Sequence, residues 1–432
     1  MMNRKRVVIT GMGTVNPLGH DVAATWEGLL AGRSGVSKTE IFDAGTFPST
    51  FSAQVKDFDL ADHVEDAHKH RHAGRHCTFA IAAAVQAWKQ SGLGQYDKLD
   101  RDRLGIYLGS GEGSLDFDNF ISLLVDAWNE DDTLNAPKWG RLGFERMDMH
   151  REVEQESHMV VAHLAAEFGA RGPAFNVLTA CAASTQALGE ATCMIRRGEA
   201  DAIISGGAHS MIHPLGVMGF NRLTALSVRN DDIASASRPF DATRDGFVLG
   251  EGASVLILED YDKVIHRGAA DSILAEIVGY GSSADAFRIT DQDPRGDGAA
   301  AAMRAALADA EMGAAEIDYI SAHGTGTKQN DLVETLAMKQ VFGDETTVPI
   351  SSAKSMLGHL IAAAGATELI TCIMAMRDQI LPPTANLNAP DPDCNLDYIP
   401  NTPRKASVTT CMSNSMGFGG QNNTLIITAV KP

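Results

Sequence analysis

The sequence predicts an α/β protein of two large subdomains, and three observations carry that prediction. Short β-type runs ("RVVIT", "RLGIYLGS", "FNVLT", "DAIISGGA", "ASVLILED", "YISAHG", "PISSAK", "TLIITAV") alternate with small-residue-rich stretches of helical character. The runs hold few charged residues, as strands covered on both faces do. At 432 residues the chain is too long for one small core, so two subdomains or a duplicated unit are expected.

Taken in order, the first element is a strand at Val7–Thr10 that runs into a glycine-rich turn, "GMGTVNPLG". The turn does not complete a dinucleotide fingerprint, because Asn16 stands where the third glycine belongs. A tight turn between strand and helix is the expectation there. Helices are expected at Cys77–Ser91, Ala182–Arg197, Gly298–Ala310, Leu332–Phe342 and Leu360–Arg377. The first of these carries Ala80, Ala83, Ala84 and Trp88 near helical spacing. A break near 261–272 divides the chain into halves of 1–265 and 266–432, which share no repeat at the level of residue identity. Residues 112–158 interrupt the rhythm with acidic and aromatic stretches such as "DAWNEDD". They are expected to form an excursion that serves as a lid, an interface or a pocket wall.

Composition narrows the function. Hydrophobic content of 44% with charged content of 21% fits an ordered globular enzyme. A formal net charge of −19 argues against nucleic-acid binding and requires any acidic partner to dock on a local basic patch. The basic start lacks an apolar core of signal-peptide length, and no apolar run is long enough to span a bilayer, so no membrane is expected. The six cysteines have no C-x-x-C pair and no framework spacing, which reads as reduced thiols in a cytoplasm.

Cys181, in "NVLTACAASTQALGEA", stands between a strand end and a helix start. Unpaired backbone N–H groups and the positive helix end favour a thiolate there, and the Cys181 N–H could serve an oxyanion hole. A buried structural cysteine fits the same local pattern equally well. Cys193, Cys372 and Cys411 read as core residues. In the second half, His323 ends a strand and His359 directly precedes a helix, where the dipole disfavours a second proton. A neutral imidazole can donate one hydrogen bond to a developing enolate oxygen. A Lys354–Glu334 pair holding the two imidazoles is one reading of those residues, and a surface ion pair is the other. "HGTGTK" lacks the first glycine and the Ser/Thr of a phosphate loop.

His63, His68, His70, His72 and His76 crowd a stretch with Lys69, Arg71 and Arg75. No metal-ligand spacing appears, so no metal is expected, and a solvated basic face suited to an acidic partner is the reading. "SNSMGFGGQNN" gives a glycine-rich loop that can carry Phe418 in and out of a site.

Together "TACAAS", "AHGTGT", "SSAKSMLGH" and "NSMGFGGQN", in this order, resemble the β-ketoacyl-ACP synthases of the type II elongating condensing enzymes. "RVVITGMGTVNPLG", "RPFDATRDGFVLGEGASVLILED" and "LPPTANL" extend the resemblance over essentially the whole chain. It implies a thiolase-like fold, two α-β-α-β-α five-layered halves about a pseudo-twofold axis, and a homodimer. It implies a Cys181–His323–His359 triad, with Lys354 and Glu334 in support. Acyl carrier protein would supply acyl and malonyl thioesters on its phosphopantetheine arm, with no resident cofactor. Thr325 and Thr327 match the threonines that meet that arm, Phe418 the gate whose N–H joins the oxyanion hole, and Gly419 the loop beside it. Phe220 matches a pocket aromatic. Glu112 falls on a usually apolar position at the far end of the acyl pocket, where a carboxylate must be paired, protonated or turned away. Met416 and Gln421 depart from the family's gating loop. These departures and the excursion leave open a specialised polyketide or polyene ketosynthase; a non-catalytic chain-length subunit and a degradative thiolase are the further alternatives.

Overall fold

The computed structural model describes residues 4–430, and ten of its β-strands join into one sheet, with two short two-stranded ribbons beside it. The strands are β1 (Val7–Val15), β2 (Leu104–Ser110), β3 (Ala174–Val177), β4 (Ala202–His209), β5 (Gly252–Asp260), β6 (Ala275–Ala284), β7 (Tyr319–Ser321), β8 (Ile350–Ser351), β9 (Thr410–Gly417) and β10 (Gln421–Thr428). Their order across the sheet is β8-β7-β9-β10-β6-β1-β5-β4-β2-β3.

That order contains a duplication the residues themselves hide. Outward from the centre, β1-β5-β4-β2-β3 are joined antiparallel, antiparallel, parallel, parallel. The strands β6-β10-β9-β7-β8 repeat the same sequence of pairings. The halves meet where β1 and β6 share a short antiparallel register, Val8 opposite Glu276.

The principal helices are α1 (Arg75–Ser91), α2 (Phe117–Asp126), α3 (Ala136–Arg146), α4 (Met149–Val153), α5 (Met159–Phe168), α6 (Ala183–Arg196), α7 (Asp297–Ala310), α8 (Lys328–Phe342) and α9 (Ala364–Asp378). Helices α6 and α9 touch each other and strands of both halves, so they form the middle layer. Leu188, Met194, Leu369 and Ile373 pack there with Ile203, Leu256, Ile277 and Leu425 from the strands. Helix α1 covers the outer face of the first half and α7 that of the second. No helix among the described residues is long and apolar enough to cross a membrane.

The expected turn after Thr10 is instead strand, because β1 continues to Val15. Its glycines serve close packing: a Cβ on Gly13 would lie 2.1 Å from Ala83 O of α1, and one on Gly11 2.0 Å from Ala87 O. Only residues without side chains let the helix lie that near. The second-half helices also shift: α8 begins at Lys328, and α9 at Ala364 after a 3₁₀ turn at Ile361–Ala363. The excursion folds as α2, α3 and α4, with Phe144 99% exposed.

Candidate active site

Each half delivers its chemistry just before its middle-layer helix. A 3₁₀ turn at Ala180–Ala182 leads into α6, and the turn at Ile361–Ala363 leads into α9. The first residue of each turn has positive φ, 48° at Ala180 and 47° at Ile361. Non-glycine residues reach that region at a cost that the surrounding packing must hold in place. The strained Ala180 aims Cys181 into a cavity of about 570 Å³, lined also by His323, Thr325, Thr327, His359 and Phe418.

The sequence-predicted triad is assembled there. His359 Nε2 lies 3.0 Å from Cys181 Sγ. The two imidazoles meet edge to face with centroids 5.3 Å apart, and one ligand atom from each of the three residues lies within 4.8 Å of the others. Hydrogen bonding fixes the tautomers. His359 Nδ1 accepts from Ile361 N–H at 3.2 Å, and His323 Nδ1 accepts from the Lys354 ammonium at 3.3 Å. Each neutral ring therefore carries its proton on Nε2 and presents an N–H to the cavity. A thiol with two N–H donors suits an oxyanion better than a metal ion, which needs lone pairs.

Electrostatics correct two expectations. Burial pushes the Cys181 thiol up to about 11, although Lys354 and the N–H groups of Phe418 and Cys181 act the other way. The thiol is thus not ionised in advance by the helix end, since desolvation outweighs it. Both histidines sit well below the ordinary imidazole value, His323 and His359 through burial first and the Lys354 charge second. They are neutral as expected, but burial rather than the helix dipole is the main cause.

A third correction concerns the support. Lys354 does not pair with Glu334. Its ammonium is bonded to Glu368 and donates to His323 O at 2.5 Å. Glu334 accepts from the N–H groups of His323 and Gly324, each at 2.8 Å, so it holds the backbone of the strand end rather than the imidazole. Burial raises both Glu334 and Glu368 to about 7. Glu368, on α9, was missed by sequence reasoning; its signal is a carboxylate on an otherwise apolar and small-residue helix.

The glycine-rich loop closes the β9–β10 hairpin at Phe418–Gly420, with Gly419 and Gly420 at φ 95° and 77°. Phe418 is 39% exposed at the cavity, and Met416 is buried in its wall. Thr327 caps α8, accepting from Asn330 N–H, and Thr325 lies beside it at 3.2 Å. Phe220 packs edge to face on Phe247, which does the same on His359, so Phe247 lines the apolar side of the cavity and Phe220 backs it from behind.

Two predicted positions lie elsewhere. Glu112 does not line the cavity at Cys181; it is turned out to the surface near His213, whose imidazole its charge raises against burial. The expected basic face at Lys69, Arg71 and Arg75 is largely committed within the chain. Lys69 pairs with Glu167 and Arg75 forks onto buried Glu251, while His70 and His76 are buried. Arg71 alone of the three basic residues makes no ion pair among the described residues.

Residues 4–263 match the N-terminal domain of the β-ketoacyl synthase family and residues 274–388 its C-terminal domain. The 3-oxoacyl-[acyl-carrier-protein] synthase 2 of Coxiella burnetii is 40% identical over 99% of this chain and 100% of its own length. The protein of the same name from Vibrio harveyi is 39% identical, covering 98% of this chain and 99% of its own length. Among solved structures, the ishigamide ketosynthase/chain length factor superposes with a TM-score of 0.88 at 35% identity, covering 99% of this chain and 100% of that one. A type II PKS acyl-carrier protein in complex with its ketosynthase bound to the hexaketide gives 0.86 at 32% identity, with the same coverage.

Proposed function

The chain belongs to the β-ketoacyl synthase family, and from that premise we propose how its residues divide the work of a 3-oxoacyl-ACP synthase, an acyltransferase of fatty-acid biosynthesis with a thiolase fold. The observation that carries the reading is the convergence of Cys181 with two imidazoles that each present an N–H to one cavity.

Acyl carrier protein brings the first acyl group along Thr325 and Thr327. Cys181 sulfur attacks the thioester carbonyl while the N–H groups of Cys181 and Phe418 receive the developing oxyanion. The thiol proton passes to the departing carrier thiol, so ionisation accompanies attack and needs no standing thiolate. Malonyl-ACP then enters with its thioester oxygen between the Nε2–H groups of His323 and His359. These donors stabilise the enolate as the C–C bond to the carboxylate breaks and CO₂ leaves. The enolate carbon attacks the acyl-Cys181 carbonyl, the C–S bond breaks, and the thiolate takes a proton to restore the thiol. Lys354 holds His323 in the donating tautomer, and Glu334 fixes its backbone. Phe247, backed by Phe220, walls the acyl chain, and Gly419 lets the gate loop turn. No step calls on a resident metal or small-molecule cofactor. We further propose a cytoplasmic homodimer.

A panel of saturated acyl-ACPs tests this reading. Efficient extension of medium and long saturated chains is expected. A specialised ketosynthase working with a separate chain-length subunit is the second reading, favoured by the likeness to ketosynthase/chain length factor pairs. It requires that saturated chains be poor substrates and that the purified chain be inactive alone.

The carrier surface is better sought at the cavity mouth, where exposed Arg222 and Lys328 flank the rim residues Leu223 and Gln329. Charge reversal at Arg222 and Lys328 is expected to raise KM for carrier protein by about tenfold. Reversal at Lys69, already tied to Glu167, should change it by less than about twofold. The opposite ranking would return docking to the 69–75 stretch.

A further inference from the structure

The excursion returns to the scaffold through a line of four titratable side chains. Glu167 and His163 lie on α5, His70 ends a 3₁₀ turn before α1, and Glu154 follows α4. Glu167 Oε2 is 3.0 Å from His70 Nε2, His70 Nδ1 is 2.8 Å from His163 Nδ1, and His163 Nε2 is 2.9 Å from Glu154 Oε1. His70 is 2% exposed and Glu154 6%. Glu154 O also accepts from Ser114 N at 2.8 Å, so one residue joins both ends of the excursion.

Counting protons makes the line informative. Each hydrogen bond needs one proton, and ionised carboxylates supply none. The two rings together must hold three, one ring neutral and the other cationic. Two carboxylates and one imidazolium leave a single negative charge, which Lys69 cancels from 2.9 Å on Glu167. The array, buried at His70 and Glu154 and half-buried elsewhere, is then neutral, the condition under which such charges are tolerated. Burial pushes Glu167 up, but His70 and Lys69 outweigh it and hold the carboxyl below its ordinary value.

The surrounding groups add little charge. From α1, burial holds His76 down to about 4 and keeps Cys77 a thiol. Within the excursion, Arg151 is 3.3 Å from Asp116, and His150 stacks on His72 at 5.0 Å. Arg71 and Asp118 face the adjoining cavity.

We propose that Glu167, His70, His163 and Glu154 form a latch that fastens residues 112–158 to the scaffold only while the two imidazoles share three protons. A fourth proton sets N–H against N–H at the His70–His163 contact, and loss of the third sets lone pair against lone pair. As pH falls the fourth proton arrives, and the latch opens on the acid side. The wall that the excursion lends to a second cavity of about 430 Å³, between Phe42, Phe117 and His213, is released with it.

Hydrogen exchange on the full chain, corrected for intrinsic chemistry, tests the latch between about pH 7.5 and about pH 5. Protection of amides in 113–158 is expected to fall by about tenfold or more, with β5 as an unchanged internal reference. A flat profile in the unaltered protein overturns the proposal, with no variant needed. His163→Leu should remove the pH dependence, and its persistence there would also overturn it. Glu154→Gln keeps an acceptor but deletes a negative charge, so it should move the acid-side opening to lower pH. An unmoved midpoint counts against the proton count.

Discussion

Replacing Cys181 with alanine is expected to lower condensation by at least about a thousandfold, because no other thiol among the described residues lines the cavity. Cys181→Gln is the sharper variant, since its carboxamide imitates the acyl-enzyme beside the Cys181 and Phe418 N–H groups. It should lose condensation equally yet release CO₂ from malonyl-ACP at an unchanged or raised rate. His323→Ala and His359→Ala should keep acyl transfer to Cys181 but lose CO₂ release, and condensation with it, because each removes one of the two N–H donors proposed for the enolate oxygen. Separate assays of acyl transfer and CO₂ release check the division. CO₂ release lost in Cys181→Gln, or retained in His323→Ala, contradicts the roles assigned. A titration accompanies this prediction: alkylation of Cys181 in the free protein should keep rising toward about 11, where its thiol ionises. A plateau near neutral pH would mean a preformed thiolate and a different first step.

Lys354→Met is expected to combine two large effects. It strands Glu368, whose burial already raises it to about 7 beside the ammonium, and it frees the His323 ring. Breaking a buried pair in this way costs about 3–5 kcal/mol of stability. Denaturant unfolding reads that loss, and CO₂ release reads the loss of His323 positioning. The double variant Lys354→Met/Glu368→Leu separates the two, because removing both charges restores an apolar site. Stability should largely return while CO₂ release stays low. Recovery of both would make the pair structural alone. Lys354→Arg should not rescue the chemistry, because a planar fork cannot occupy the ammonium's three-way contact with His323 O, His323 Nδ1 and Glu368.

Much of this site is legible in the sequence because its parts sit at element ends. Cys181, His323 and His359 each stand at a strand end or a helix start, where local patterning is strongest. Phe418 sits among glycines whose positive φ requires glycine. What escaped detection depends on contacts distant in the chain. Glu368 is 14 residues from Lys354, and the carboxylate on its helix does not by itself name a partner. Glu334 reads in the sequence as a partner of Lys354, yet it serves the backbone of His323. The sulfur's environment was misjudged because a helix end is visible in sequence and burial is not. The five histidines between 63 and 76 suggest a solvated face by crowding, whereas Glu167 on α5 and Glu251 just before β5 take up Lys69, His70 and Arg75. Gly11 and Gly13 signalled a turn, and only the α1 backbone against them reveals why they are glycine.

The paired 3₁₀ turns carry a consequence for how one centre arises from two equivalent places. Superposing the turns by their positive-φ residues sets Ala180 on Ile361, which puts Cys181 on Ala362 and Leu178 on His359. Each half thus fills the slot that the other leaves chemically blank. Identical residues in both slots would give two thiols or two imidazoles, and neither pair would offer a nucleophile together with an N–H donor. The duplicated scaffold supplies matched placement, and in the proposed mechanism the mismatch of its occupants supplies direction: the acyl group has one place to wait, and the enolate has one place to form.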